Sequence, residues 1–108
     1  MTMTDATGGK VAVLARITAV PGKREELVTA LKAAIDNANT EAGTLLYICH
    51  LDPDNADGVV FYELYTDRDA FTLHGNSDAF KAIGASLRGL AAGRPELTFL
   101  TPVIGKGL

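Results

Sequence analysis

The side chains best suited to acid–base chemistry lie in one stretch of the chain, from Val59 to His74. Glu63 is the only charged residue in a strand-like segment of β-branched and aromatic residues, and His74 is one of two histidines in the chain. A histidine ordinarily titrates near neutral pH, which makes His74 the candidate proton acceptor. Together with nearby aromatic side chains, the two groups would form a small apolar pocket with a polar end.

Each of these residues also has a purely structural interpretation. His74 could be a half-exposed histidine at the end of a short helix. Glu63 lies between Phe61 and Tyr65 on one strand face, where it could raise the basicity of a histidine or hold a substrate hydroxyl. Because buried charges are usually paired, we expect instead a salt bridge to Arg16 on the neighbouring strand, or a hydrogen-bonded carboxylate in an interface. Arg16 could otherwise neutralise a substrate oxyanion.

Aromatic side chains supply the candidate ligand contacts. Tyr47, Tyr62 and Tyr65 could stack on a ring or donate a phenolic hydrogen bond, and Phe80 would contribute from a helix. Strand alternation places Tyr62 and Tyr65 on opposite faces, so they cannot both face one cavity. His50 has the opposite parity to Tyr47, and we expect it to be exposed.

The pattern of elements predicts an α+β fold that can position these residues. Strands are predicted over 11–20, 44–51, 59–66 and 96–101, and helices over 23–38, 67–74 and from residue 77 to Gly93. Thr66 is the expected N-cap of the second helix, and Gly43 suits a left-handed or tight conformation. The order β-α-β-β-α-β predicts a ferredoxin-like four-stranded antiparallel sheet with helices on one face.

The strands carry apolar residues on both faces, although helices can cover only one. Leu46 and Ile48, for example, alternate with Leu45, Tyr47 and Leu51. A sheet with apolar side chains on both faces rarely has one of those faces exposed to water. We therefore expect the second face to pack against its copy in a homodimer.

Composition limits the function classes. The chain of 108 residues is long enough for one domain, expected over 11–108 after a loose tail over 1–10. Its net charge of −3 and scattered basic residues argue against nucleic acid as a partner, and its apolar runs are too short to span a membrane. A single cysteine, Cys49, fits a reducing, cytoplasmic location. No metal-binding pattern is visible.

Several positions taken together resemble the antibiotic biosynthesis monooxygenase (ABM) domain family. They are the turn 21–23, Glu41-x-Gly43 followed by Tyr47, Glu63-x-Tyr65-x-Asp67, and then Ala70, His74, Ser77 and Phe80. The resemblance extends from about Val11 to Val103 and implies a dimeric α+β barrel of ferredoxin-like subunits. Family members often have Trp where this chain has Tyr65 and Pro where it has Ala42. The haem-binding relatives place their iron-ligating histidine where this chain has Gly84, so we expect no haem.

The resemblance implies oxidation of electron-rich aromatic molecules by O₂ without metal or flavin. We therefore expect a cofactor-independent monooxygenase acting on a small aromatic or quinol-type substrate, with His74 and Glu63 as catalytic residues. The expected substrate contacts are Tyr47, Tyr65, Tyr62, Arg16 and Phe80. Two alternatives stay open: an isomerase acting on a small keto compound, and a dimeric binder of small apolar ligands without catalytic activity.

Overall fold

A computed structural model describes residues 9–108 of the chain, so most of the predicted tail lies outside the described residues. The elements along the chain are β1 (Val11–Thr18), α1 (Arg24–Ala38), β2 (Thr44–Leu51), β3 (Gly58–Tyr65), α2 (Arg68–Asn76), α3 (Asp78–Ser86) and β4 (Glu96–Leu100). None of the three helices has the length and apolar character needed to cross a bilayer, so residues 9–108 contain no candidate membrane span.

The four strands form one antiparallel sheet in the order β2-β3-β1-β4, which confirms the predicted ferredoxin-like arrangement. In the register of the sheet, Val13 of β1 lies opposite Glu63 of β3, and Tyr47 of β2 lies on the other side of Glu63. These side chains therefore share one face. β4 is an edge strand, as expected from Pro102, which cannot donate a ladder hydrogen bond.

The core lies between the sheet and α1. The apolar positions of α1 recur at helical spacing, and its buried residues are Leu27, Leu31, Ala34 and Ala38. They pack against the helix-covered sheet face, whose buried residues include Ala15, Ile17, Val59 and Phe61. Burying a side chain the size of leucine contributes about 1.5–3 kcal/mol. This core fixes the sheet on which the polar residues are carried.

The second half of the helical layer consists of two short helices rather than the predicted short turn and long helix. The predicted cap at Thr66 is wrong: Asp67 caps α2, and its carboxylate accepts a hydrogen bond of 2.7 Å from the Ala70 amide. Ser77 caps α3, and its hydroxyl accepts a hydrogen bond from the Phe80 amide. α3 ends earlier than predicted, and the chain turns through Gly89, whose φ of 82° favours glycine.

β4 contacts the helical layer through aromatic side chains. The rings of Phe71 in α2 and Phe99 in β4 meet edge to face, with centroids 5.1 Å apart. The Arg68 guanidinium lies 4.5 Å above the centre of the Phe99 ring. This stack links the edge strand to the start of α2.

None of the three described helices covers the opposite face of the sheet. It carries apolar side chains from all four strands, namely Leu14, Leu46, Ile48, Val60, Tyr62 and Leu100. Leu46 is 40% exposed and Ile48 is 45% exposed. We refer to this surface as the open face.

Candidate active site

A cavity of about 490 Å³ lies between the sheet and the three helices. Its volume is in the range typical of small-molecule sites. Most of its wall is apolar and comes from all layers of the fold, with contributions from Ala15, Leu31, Phe61, Phe71, Ile83 and Leu97. The polar side chains on its wall are those of Tyr47, Glu63, His74, Arg88 and Arg94. The predicted pocket between sheet and helices is therefore present.

His74 is buried and held by a carboxylate from the other half of the chain. Only 3% of its surface is exposed, and its Nδ1 lies 2.6 Å from Oε1 of Glu41. A carboxylate accepts a hydrogen bond, so this contact places a proton on Nδ1 and leaves Nε2 for other partners. Within residues 9–108, Nε2 has no hydrogen-bond partner. A buried nitrogen without a partner is costly, so a ligand or water that bonded to it would be favoured.

Close backbone packing positions this pair. Glu41 lies in the turn before β2, and its Oε1 also accepts a hydrogen bond of 3.0 Å from Thr44. A β-carbon on Gly43 would lie 2.6 Å from the β-carbon of Ala70 in α2, so only glycine allows this approach. The φ of Gly43 is not left-handed, so this position needs glycine because of the close approach of α2 and not because of its backbone conformation. The contact brings α2, and with it His74, against the turn that carries Glu41.

Glu63 forms the second polar group on the cavity wall. Only 5% of its surface is exposed, and its Oε1 accepts a hydrogen bond of 2.5 Å from the Tyr65 hydroxyl. Burial raises the pKa of Glu63 above its ordinary value, while the hydrogen bond from Tyr65 and the nearby His74 act in the opposite direction. Burial dominates, so this carboxylate is more basic than one in water and better able to accept a proton.

Aromatic rings surround the imidazole of His74. The ring centroids of Phe80, Tyr47 and Tyr65 lie 4.9, 5.2 and 5.5 Å from that of His74. Burial, followed by the carboxylate of Glu63, raises the pKa of both tyrosines well above the ordinary value. Both tyrosines therefore keep their hydroxyl protons and can act only as neutral hydrogen-bonding groups.

The structure brings most of the predicted site residues together. His74, Glu63, Tyr47 and Phe80 line the cavity, and Tyr65 is fully buried behind Glu63. His50 is exposed on the open face, as expected from its strand parity.

Two predicted contacts are placed elsewhere. Tyr62 and Arg16 lie on the open face, so neither lines the cavity. The predicted salt bridge between Arg16 and Glu63 is wrong, because the register puts their side chains on opposite faces of the sheet. Arg16 instead donates a hydrogen bond of 3.4 Å to Thr98. Glu63 takes its partner from its own strand.

Sequence reasoning missed the role of Glu41 and the presence of Arg88 and Arg94 in the cavity wall. Glu41 stood out only as part of the Glu41-x-Gly43 pattern, with no signal that it would reach a histidine 33 residues away. Among residues 9–108, no three His, Cys, Asp or Glu side chains converge as a metal site would require. Gly84 lies in the cavity wall and offers no side chain to a ligand.

Comparison with known proteins identifies the family. The family model described as antibiotic biosynthesis monooxygenase matches residues 10–86. A Caulobacter crescentus protein provisionally named an antibiotic biosynthesis monooxygenase is 30% identical; the match covers 91% of this chain and 93% of that one, with a TM-score of 0.82. The Rv0793 protein of Mycobacterium tuberculosis is 27% identical over 92% of this chain and 100% of that one, with a TM-score of 0.81. A comparison with curated proteins gave no match. The chain belongs to the antibiotic biosynthesis monooxygenase family.

Proposed function

We propose that this protein is a cofactor-independent monooxygenase that oxidises a small aromatic or quinol-type molecule with O₂. The observation that carries the proposal is the apolar cavity of about 490 Å³ whose wall holds two buried proton acceptors, Glu63 and His74. Family membership supports the reaction class. A phenol, quinol or anthrone needs little more from a protein than removal of a proton in a site that excludes water.

In the first step His74 accepts the acidic proton of the substrate at Nε2. Glu41 makes this possible, because its hydrogen bond to Nδ1 fixes the orientation of the ring and stabilises the imidazolium that forms. The carboxylate of Glu63, positioned by Tyr65, holds the substrate hydroxyl or the released proton. Tyr47 stays protonated and can donate a hydrogen bond to the developing oxyanion.

In the second step the substrate anion passes an electron to O₂, and the two radicals combine to form a carbon–oxygen bond. For an anthrone, the CH₂ group becomes a carbonyl and the second oxygen atom leaves as water. One O₂ is consumed per substrate molecule, and no external reductant is required. The apolar wall formed by residues such as Phe61, Phe71 and Ile83 keeps water away from the charged intermediate.

Oxygen uptake tests the proposal directly. Metal-free protein is mixed with a panel of anthrones and naphthohydroquinones, and uptake above the protein-free rate is measured with an oxygen electrode. We expect His74→Gln and Glu63→Gln each to lower the rate by about 10²–10⁴-fold, the typical contribution of one acid–base group. His50→Gln is the matched control, because His50 is exposed on the other face. Oxygen uptake that is unchanged in both variants would contradict the assignment, and uptake absent from the whole panel would favour the isomerase or binder.

We also propose that the open face packs against a second copy of the chain. All four strands contribute apolar side chains to this face, and Ile48 and Leu100 are each 45% exposed in the single subunit. A sheet of this kind is normally covered, and pairing about a two-fold axis covers both copies at once. Each subunit would keep its own cavity, since the cavity lies on the opposite, helix-covered side of the sheet.

Light scattering on a size-exclusion column tests the dimer. We expect the mass of two chains at micromolar concentration, and a single-chain mass for Ile48→Asp, which places a charge in the centre of the open face. Leu73→Asp is the matched control, because Leu73 is 75% exposed on α2, away from the open face. A wild-type protein with the mass of one chain would refute the dimer.

A further inference from the structure

Two arginines in the cavity wall have no part in the proton chemistry described above. Arg88 follows α3 and Arg94 precedes β4; both are exposed, and both line the cavity. Within residues 9–108, neither guanidinium forms a salt bridge or a side-chain hydrogen bond. Of the described residues on this largely apolar wall, these two alone carry a permanent positive charge.

The register of the sheet places the arginines at the opposite end of the cavity from the proton acceptors. Glu63 lies beside Val13 of β1. The segment between the arginines joins the far end of that strand, where the Ala92 amide donates a hydrogen bond of 2.8 Å to the Thr18 carbonyl. Thr18 lies five residues after Val13 along β1, which corresponds to about 17 Å at about 3.4 Å per residue. Arginine side chains extend several ångströms from the backbone, so an aromatic ligand of two fused rings can meet both ends.

The two ends of the cavity carry charges of opposite sign. The carboxylates of Glu41 and Glu63 repel an anion from the His74 end, and the arginines attract it to the other. An anionic substituent on the ligand would therefore leave its reactive hydroxyl or CH₂ group beside His74. Arginine is also well matched to a carboxylate, because its planar fork can donate two parallel hydrogen bonds.

We infer that the substrate is an aromatic molecule carrying a carboxylate, which Arg88 and Arg94 bind at the end of the cavity remote from His74. This inference rests on the proposed function as far as the reaction is concerned. Binding of the carboxylate can be measured separately, without any reaction. It narrows the substrate class from any small electron-rich ring to acidic aromatic molecules. It also assigns a substrate-orienting role to two residues outside the acid–base group.

The test compares two probes of nearly the same shape, 2-naphthoate and the neutral 2-naphthamide. Their affinities are measured by isothermal titration calorimetry without any turnover, so the result does not depend on oxygenase activity. We expect naphthoate to bind about tenfold more tightly than naphthamide at low salt, with the preference shrinking as salt rises. The double variant Arg88→Gln/Arg94→Gln should bring the naphthoate affinity down to that of naphthamide.

The variants separate charge from packing. Loss of packing by the arginine side chains would weaken the binding of both probes equally, whereas loss of their charges weakens the binding of naphthoate alone. Lys81→Gln is the matched control, because Lys81 is an exposed cation on α3 that does not line the cavity. Equal affinities for the two probes in the wild-type protein, or no naphthoate binding at millimolar concentration, would overturn the inference. Oxygen uptake with neutral anthrones would leave the proposed function standing in that event.

Discussion

Replacing Gly43 by alanine tests whether the close approach of α2 to the turn before β2 builds the site. The new β-carbon would lie 2.6 Å from the β-carbon of Ala70 and 3.3 Å from Oγ1 of Thr66. Carbon atoms in favourable contact are about 3.5–4.0 Å apart. The two segments must therefore separate by about 1 Å. Ala70 cannot move aside by rotation, because its side chain is a single methyl group on the helix backbone.

The expected cost is that of overpacking a buried contact, about 1–3 kcal/mol in the free energy of unfolding. For a domain of this size, each kcal/mol lowers the melting temperature by about 4–8 °C. The displacement also acts on the site, because Gly43 lies two residues after Glu41 and Ala70 lies four residues before His74. A separation of about 1 Å lengthens the hydrogen bond of 2.6 Å between Glu41 and His74 beyond useful range.

Urea denaturation and thermal melts followed by circular dichroism measure the stability of Gly43→Ala, and oxygen uptake follows the site. Gly84→Ala is the matched control for the stability measurement alone, because Gly84 also lies in the cavity wall: it is inside α3, and an added β-carbon there meets nothing within 4 Å. Alanine is preferred to glycine in a helix interior, so this variant should gain about 0.5–1 kcal/mol. A Gly43→Ala protein as stable as the wild type would refute the packing argument, since the helix would then have room to move at no cost.

Three further predictions concern stability. Burial raises the pKa of Glu63 in the folded state above its ordinary value near 4.5, so the folded protein binds that proton more tightly than the unfolded chain does. The stability that protonated Glu63 contributes is fully present below the pKa of the unfolded chain and is lost as the pH rises through the pKa of the folded protein. Glu63→Gln should therefore become more stable relative to wild type as the pH rises above 4.5. A difference in unfolding free energy that stays constant with pH, measured by urea denaturation, would contradict this. Asp67→Ala removes the cap of α2 and should cost about 1 kcal/mol in the same assay, while Asp69→Ala, which removes no cap bond, should cost less. Leu27→Ala should lower the free energy of unfolding by about 2–5 kcal/mol, because Leu27 is fully buried. Lys32→Ala, at an exposed position of the same helix, should lower it by less than about 0.5 kcal/mol.

The sequence predicted the layers of the fold well, because each element carries a strong hydrophobic period. The bounds of β2 are those expected, and the buried positions of α1 follow from its helical spacing. Alternation along β3 also placed Glu63 with Phe61 and Tyr65 on one face. Patterns of this kind are local, so a single segment contains the information needed to read them.

Contacts between segments were harder to predict. Whether Arg16 and Glu63 lie on the same face of the sheet depends on how β1 pairs with β3. A shift of one residue in this pairing moves a side chain to the other face. The contact between Glu41 and His74 depends on how closely α2 approaches the turn before β2, which no local pattern specifies. At the start of α2, Thr66 and Asp67 are both good capping residues, so composition alone could not choose between them.

The position of β4 bears on the shape of the cavity. One side of the cavity belongs to this edge strand and the residues before it, including Pro95 and Leu97. β4 pairs with β1 alone, and its side chains meet α2 through the stack of Arg68, Phe71 and Phe99. Changes in β4 can therefore reshape the cavity while leaving Glu63 in place, because Glu63 lies on β3, which pairs with both β1 and β2.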